Sequence, residues 1–201
     1  MKAILLAALL SIPLCIVFSQ SDYSASIQNE RERFENTLLH TDSIINLEER
    51  KAIEELNHFP IDSNWVLTAQ FKTDQGKSFK MPTTTNRTPK YRRLGYLHFN
   101  HNGVEFQLAV YKNIGLKGSK YKNYVFVPFK DANAPELTYG GGRYLDIEMS
   151  AKDKNVIVDF NKAYNPYCVY SYRYSCPITP EENHIDVKVN AGVKNPKMKK
   201  E

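Results

Sequence analysis

The chain has 201 residues, of which 42% are hydrophobic and 24% are charged, and its formal net charge is +5 at pH 7. This length suffices for one domain with a substantial core. Much of the positive excess lies in residues 194–201, where four lysines outnumber one acid, and we expect these residues to form a flexible basic tail. The remaining body is close to neutral and shows no concentrated basic stripe, so we expect no nucleic-acid partner.

The first nineteen residues have the layout of a secretory signal peptide. Lys2 precedes an apolar run over residues 3–18, and this run is too short and too broken for a membrane span of about 20 residues. We place cleavage after Ser19 and expect a secreted or periplasmic protein with no transmembrane span in its mature form. Lipid anchoring at Cys15 is the less favoured alternative, because the residue before it is a bulky leucine.

Two cysteines, Cys168 and Cys176, remain after this cleavage. In an oxidising compartment a pair at this spacing usually forms a disulfide, which would stabilise the fold by about 2–3 kcal/mol. A metal pair with His184 and a reactive thiol are the alternatives, but neither has the tight Cys-x-x-Cys spacing that favours them. We therefore predict a structural disulfide and no metal site.

Residues 20–57 form the only strongly helical part of the sequence. Apolar residues spaced by three and four predict amphipathic helices that pack on the rest of the domain. We expect the first helix to be capped by Asp22. The second is expected to begin at Asp42 or Ser43 and to end near Leu56.

The periodicity changes to two from Asn64 onward, which indicates half-buried strands. A His101-Asn102-Gly103 turn between two alternating runs predicts a hairpin. Closely spaced strands without intervening helices predict a mainly-β domain over 58–193, an antiparallel sheet that closes into a barrel-like or sandwich structure, with one or two N-terminal helices. The predicted strands cover residues 65–71, 96–100, 104–110, 124–129, 143–149, 156–160 and 185–189.

Several long motifs occur in a fixed order, and they resemble the family known as domain of unknown function 1684, found in bacterial and often exported proteins. The resemblance covers roughly residues 42–192, and Val193 stands where an acidic residue is expected. It implies a shared domain and supplies no reaction. The motifs are FPIDSNW (59–65), FKMPTTTNRTPKYRRLGYLHF (79–99), YGGGRYLDI (139–147), DFNKAYNPYC (159–168), CPITPEEN (176–183) and DVKVNAG (186–192).

The glycine-rich motif is one candidate for ligand binding. Consecutive glycines permit close backbone approach and could form an amide nest for an anion, while Arg143 could grip a carboxylate or phosphate with two hydrogen bonds. The structural alternative is a tight turn into a strand, with Arg143 paired to Asp146 or Asp159. The candidate residues are Tyr139, Gly140, Gly141, Gly142 and Arg143.

The second candidate is the DFNKAYN segment that follows a predicted strand. Asp159, Asn161, Tyr164 and Asn165 could surround a pocket held by the disulfide loop. Turn formation through Asn and Asp side chains is the simpler explanation, above all for Asn165 before a proline.

Three functions follow from these residues. The first is a monomer without a cofactor that binds a small polar or anionic ligand, or a glycan-like one, through Arg143 and the DFNKAYN segment. The second is an envelope hydrolase that uses Asp159 or Glu182 as general base. The third is a structural or protein-interaction module whose motifs maintain the fold.

Overall fold

The computed structural model describes residues 14–41, 43–150 and 152–199, with side chains from residue 21 onward. Residues 1–13 of the predicted signal peptide lie outside the described residues, so cleavage after Ser19 stays a prediction. The helices and strands are α1 (Leu14–His40), α2 (Leu47–Ala52), β1 (Ile53–Glu55), β2 (Val66–Thr73), β3 (Ser78–Lys80), β4 (Lys90–His101), β5 (Val104–Asn113), β6 (Tyr124–Phe129), β7 (Arg143–Glu148), β8 (Asn155–Asp159) and β9 (Lys197–Met198).

The two predicted helices are present, but the second is shorter than predicted. Asn46 caps α2 in a capping box, in which its side chain accepts a hydrogen bond from the Glu49 amide at 2.8 Å and the Glu49 carboxylate accepts one from the Asn46 amide at 2.9 Å. The helix therefore begins four residues after Ser43, and the other predicted start, Asp42, lies outside the described residues. The helix ends at Ala52 because the next three residues pair as β1 with β9, inside the predicted basic tail.

Six strands form an antiparallel sheet in the order β7-β6-β5-β4-β2-β8, and β3 pairs with β4 beside this path. The predicted hairpin is confirmed: β4 and β5 meet at a turn in which Asn102 and Gly103 both have positive φ, 52° and 82°. This conformation suits the right-handed twist of the flanking strands.

The sheet curls into a half-barrel, which confirms the barrel-like prediction in an open form. The register of β4 with β5 shifts between Arg93 and Gly95. Such a bulge bends a strand and increases its twist. A Cβ atom at Gly95 would lie 2.2 Å from the carbonyl oxygen of Lys72, so only glycine permits this close approach.

Both faces of the central strands are covered. The concave face carries the main core, with the side chains of Leu97, Leu108 and Val127 fully buried. The opposite face carries an aromatic cluster that includes Tyr111 and Tyr144. Burial on both faces explains why β6 is an almost continuous apolar run rather than an alternating one.

Asn183 completes the sheet where β5 and β6 separate. Pro128 in β6 has no N–H, so it cannot donate to the carbonyl of Ala109, its neighbour on β5. The Asn183 amide nitrogen donates to the carbonyls of both Ala109 and Pro128, at 2.9 and 2.6 Å, and its oxygen accepts from the Ala109 N–H at 2.7 Å. The segment that precedes Asn183 is thereby held across the sheet.

The strand predicted at 185–189 is not formed. Ile185 donates a backbone hydrogen bond to Lys130, and Ala132 donates one to Val187, but no regular ladder follows. The carbonyl of Val189 accepts a hydrogen bond from the buried Arg143 instead of from a neighbouring strand, and those of Ala191 and Val193 do the same. The alternation of residues 185–189 predicted correctly which side chains are buried or half-buried, but the prediction of a strand was wrong.

Candidate functional site

Arg143, at the start of β7, lies in the interior with 0% of its surface exposed. Its Nη2 pairs with Asp131 Oδ1 at 3.2 Å and donates to the Val189 carbonyl at 3.0 Å. Its Nη1 donates to the carbonyls of Ala191 and Val193. Burial lowers the pKa of Arg143, whereas the charge of Asp131 raises it. The guanidinium therefore ties the C-terminal segment to the sheet. An arginine that binds an anion from solution would have to face solvent, and Arg143 does not.

The glycine triplet forms a tight turn into β7. The Gly142 N–H donates to the Tyr139 carbonyl at 2.9 Å, and the Thr179 hydroxyl donates to the Gly141 carbonyl at 2.8 Å. Gly142 has φ +93°, and a Cβ there would lie 2.6 Å from the Phe129 carbonyl oxygen. Because the Gly142 amide is used within the turn, the geometry favours a structural role for these glycines over an anion nest.

Asp159 joins the end of β8 to α1. Its two carboxylate oxygens each accept the Tyr23 hydroxyl at 3.0 Å, and one accepts the Asn161 amide at 2.9 Å. The Asn161 side chain also exchanges two hydrogen bonds with the backbone of Asp62, at 2.8 and 3.0 Å. Tyr23, which the sequence did not single out, thus positions one side of α1 against the DFNKAYN segment.

A pocket of about 480 Å³ lies between α1 and this segment. Mutual backbone hydrogen bonds of 2.9 and 3.0 Å between Tyr144 and Tyr164 hold the segment against β7. Three predicted residues line the pocket, whereas Arg143, Asp159 and the glycines do not. The lining residues are Ile27, Glu30, Arg31, Phe34, His58, Asp146, Asn161, Lys162, Ala163, Tyr164, Asn165, Tyr167, Tyr170 and Val193.

Arg31 of α1 is a basic residue of the pocket with unused hydrogen-bond donors. Its Nη1 donates to the Phe59 carbonyl at 3.0 Å, while its Nε and Nη2 are buried without a hydrogen-bond partner. Lys162 pairs with Glu30 at 3.1 Å, so these two charges offset each other. Burial and the charge of Arg31 lower the pKa of His58 to about 4, so this imidazole is neutral at pH 7.

Acceptor atoms also line the pocket. Asp146 accepts the Tyr124 hydroxyl at 2.7 Å on one oxygen and the Tyr164 hydroxyl at 3.0 Å on the other. Asp146 is an exposed residue at the edge of the pocket. Desolvation by the groups around its carboxylate raises the pKa of Asp146, although both hydrogen bonds lower it. Asn165 is 1% exposed, and its amide nitrogen donates to the Lys194 carbonyl at 3.0 Å. Its Oδ1 is buried and has no partner.

Aromatic rings form the apolar wall of the pocket. Phe34 lies parallel to Tyr167, with 6.5 Å between ring centroids and 8° between planes, and it packs obliquely on Tyr170 at 6.1 Å. These rings bring the YNPYC segment onto α1. The pocket therefore combines an apolar wall with donors and acceptors that have unused capacity, the usual character of a small-molecule site.

The cysteines lie in the loop that carries Tyr167 and Tyr170. Both thiols are free in this structure, and the Cys168 amide donates to Cys176 Sγ at 3.3 Å. Donation by the Cys168 thiol lowers the pKa of Cys176 to about 7 and raises that of Cys168. The two sulfurs are close neighbours, and the disulfide stays a prediction.

Glu182, the other proposed general base, belongs to a network outside the pocket. It accepts the hydroxyls of Tyr96 and Tyr111 at 2.6 and 2.5 Å and pairs with Arg93 at 3.0 Å. Burial alone would raise the pKa of Glu182, but these three partners outweigh it and lower the value. Such a carboxylate is a poor base, and the geometry gives no support to the hydrolase hypothesis.

His184 contacts the Thr179 carbonyl at 3.3 Å. Within the part of the chain that the structure describes, no group of three or more His, Cys, Asp or Glu side chains could hold a metal ion. No helix there is both long and apolar enough to cross a membrane.

Comparisons with known proteins agree with the fold. A family model described as "Protein of unknown function (DUF1684)" matches residues 51–194. The chain is similar to the solution NMR structure of an uncharacterized protein of Haloarcula marismortui, with 28% identity and a TM-score of 0.64, over 88% of this chain and 96% of that one. No curated protein matches. The family match begins after Arg31, so this wall of the pocket lies outside it.

Proposed function

We propose that this chain, which belongs to the family of proteins of unknown function DUF1684, binds a small ligand that carries an oxyanion group, a carboxylate or a phosphate. The observation that supports this proposal is the guanidinium of the pocket-lining residue Arg31, in which two nitrogen atoms, Nε and Nη2, are buried without hydrogen-bond partners. A buried donor without an acceptor costs about 1–3 kcal/mol. A bound oxyanion would remove this cost.

The charge around Arg31 supports the same conclusion. Asp159 is the negative group that acts on Arg31 through space, but Tyr23 and Asn161 occupy its oxygens and it does not line the pocket. No ion pair among the described side chains includes Arg31. Its planar fork matches the geometry of a carboxylate or phosphate.

Substitution of Arg31 tests the proposal. Acetate and inorganic phosphate, titrated at constant ionic strength, are expected to shift the amide NMR signals of Arg31, Asn165 and Tyr167. Arg31→Met is expected to weaken this binding roughly ten- to hundredfold, as loss of a charge-assisted hydrogen bond does. Arg33→Met is the matched control, because Arg33 is exposed on the same helix and its Nε donates to the Asn29 carbonyl.

Two results would overturn the proposal. One is the absence of shifts at the pocket with both anions. The other is equal weakening of binding by the Arg31 and Arg33 substitutions, which would indicate a non-specific effect of helix charge.

We propose further that the protein is exported to an oxidising compartment, where Cys168 and Cys176 form a disulfide. The support is the sequence layout of residues 1–19 and the hydrogen bond from the Cys168 amide to Cys176 Sγ, which brings the two cysteines together. Expressed in a secreting host, the protein is expected to have an intact mass that lacks residues 1–19 and two further hydrogens. A chain that retains residues 1–19 would contradict export, a lipid on Cys15 would identify an anchored form, and two free thiols in the exported protein would contradict the disulfide.

A further inference from the structure

Resting on that proposed function, we infer that the ligand is a zwitterion, an amino acid or short peptide with an apolar side chain. The pocket holds one unbalanced positive group and one unbalanced negative group, Arg31 and Asp146. The Nε and Nη2 atoms of Arg31 and the Oδ1 atom of Asn165 are buried without hydrogen-bond partners. A free carboxylate and a free ammonium group on one molecule match this set.

The charges in the pocket cancel except for these two. Glu30 and Lys162 form an ion pair at 3.1 Å, and His58 is neutral at pH 7 because its pKa is about 4. Neither Arg31 nor Asp146 takes part in an ion pair among the described residues. A ligand with a single negative charge would therefore neutralise Arg31 and leave the exposed Asp146 carboxylate to water and its two tyrosine partners.

The acceptors require more than an anion. Each oxygen of Asp146 accepts one tyrosine hydroxyl, and a carboxylate oxygen can accept a second hydrogen bond. Asn165 Oδ1 is buried and accepts none. An ammonium group supplies three N–H donors, so it can satisfy both residues. A phosphate would instead bring negative charge toward Asp146, which favours the carboxylate of a zwitterion over it.

The rest of the pocket suits an apolar side chain. Phe34, Tyr167 and Tyr170 form an aromatic wall, and Ile27 and Val193 add aliphatic surface. Burial of such a side chain against these rings favours binding through the hydrophobic effect. A volume of about 480 Å³ lies in the range of small-molecule sites, roughly 300–1,000 Å³, and accommodates a free amino acid or a dipeptide.

Three matched probes test the inference by calorimetry on the intact protein. L-phenylalanine carries both charged groups, 3-phenylpropionate lacks the ammonium group, and 2-phenylethylamine lacks the carboxylate. We expect L-phenylalanine to bind roughly tenfold or more tightly than either analogue, because each missing group forfeits a charge-assisted hydrogen bond.

Variants assign the two ends of the ligand. Asp146→Asn is expected to weaken L-phenylalanine roughly tenfold and to leave 3-phenylpropionate unchanged, whereas Arg31→Met weakens both. Glu148→Gln is the matched control, since Glu148 is exposed on the same face of β7 and does not line the pocket. The probe comparison on the unsubstituted protein stays decisive if a variant fails to fold.

The outcomes separate the inference from the proposed function. If 3-phenylpropionate binds as tightly as L-phenylalanine and Asp146→Asn changes neither, the zwitterion is overturned and the oxyanion site stands. If no carboxylate or phosphate probe binds in the pocket, both fall together.

Discussion

Replacement of Arg143 by methionine is expected to lower the free energy of unfolding by about 3–5 kcal/mol, enough to unfold a marginally stable domain. The substitution leaves the Asp131 carboxylate buried without its cation, and 99% of that side chain is inaccessible. It also removes the donor shared by the carbonyls of Val189, Ala191 and Val193. Urea denaturation followed by circular dichroism measures the change.

Arg173→Met is the control for loss of an arginine as such. Arg173 pairs with Glu49 at 3.1 Å but its side chain is 47% exposed, and exposed pairs contribute about 0–1 kcal/mol. An Arg143→Met protein with an unchanged midpoint would show that the buried guanidinium is dispensable for folding. Arg143 would then return as a candidate for ligand binding.

Gly142→Ala is expected to destabilise the protein by more than about 3 kcal/mol. The new methyl group would lie 2.6 Å from the Phe129 carbonyl oxygen and 2.5 Å from the Thr179 hydroxyl, at a φ of +93°. A left-handed conformation alone costs a non-glycine residue about 1–3 kcal/mol, and the clash with backbone adds to it. Thermal unfolding of the purified variant measures the loss.

Gly118→Ala separates the two contributions. Gly118 has φ +103°, close to that of Gly142, but no atom lies within 4 Å of the position of its added Cβ. We expect it to cost only the conformational part, about 1–3 kcal/mol. Equal losses for the two variants would contradict the steric explanation, and with it the tight turn assigned to the glycine triplet.

Much of the sheet could be predicted because its signals are local. The alternation in β4 and β5 and the Asn102-Gly103 turn act over a few residues, and the structure has them where the sequence indicates. The segment 185–189 alternates in the same way and forms no strand. Its fate depends on a distant guanidinium, and no local pattern reveals such a partner.

Strand periodicity also excludes one of the two ion pairs expected for Arg143. Side chains three positions apart on a strand point to opposite faces, so Arg143 and Asp146 on β7 could not pair with each other. In the structure Arg143 lies in the interior, paired with Asp131, whereas Asp146 lies on the other face and lines the pocket. The ionic partner, Asp131, lies in a turn whose position the sequence does not indicate.

Arg31 could not have been identified in advance. It stands among alternating charges on a helix, where arginines are usually solvated, and its importance depends on atoms far along the chain. The pocket brings it together with His58, Asp146 and Asn165, which are separated from it by many residues of sequence. Asn161, Tyr164 and Asn165 were found because a polar, aromatic segment after a buried strand is locally unusual.

The contacts of Arg143 also have a consequence for the order in which the molecule is assembled during synthesis. Its three carbonyl acceptors follow it by 46, 48 and 50 residues. A nascent chain that ends before residue 189 offers none of them, so the Arg143 guanidinium lacks these three acceptors. We therefore expect the domain to become stable only after residues 189–193 have been made.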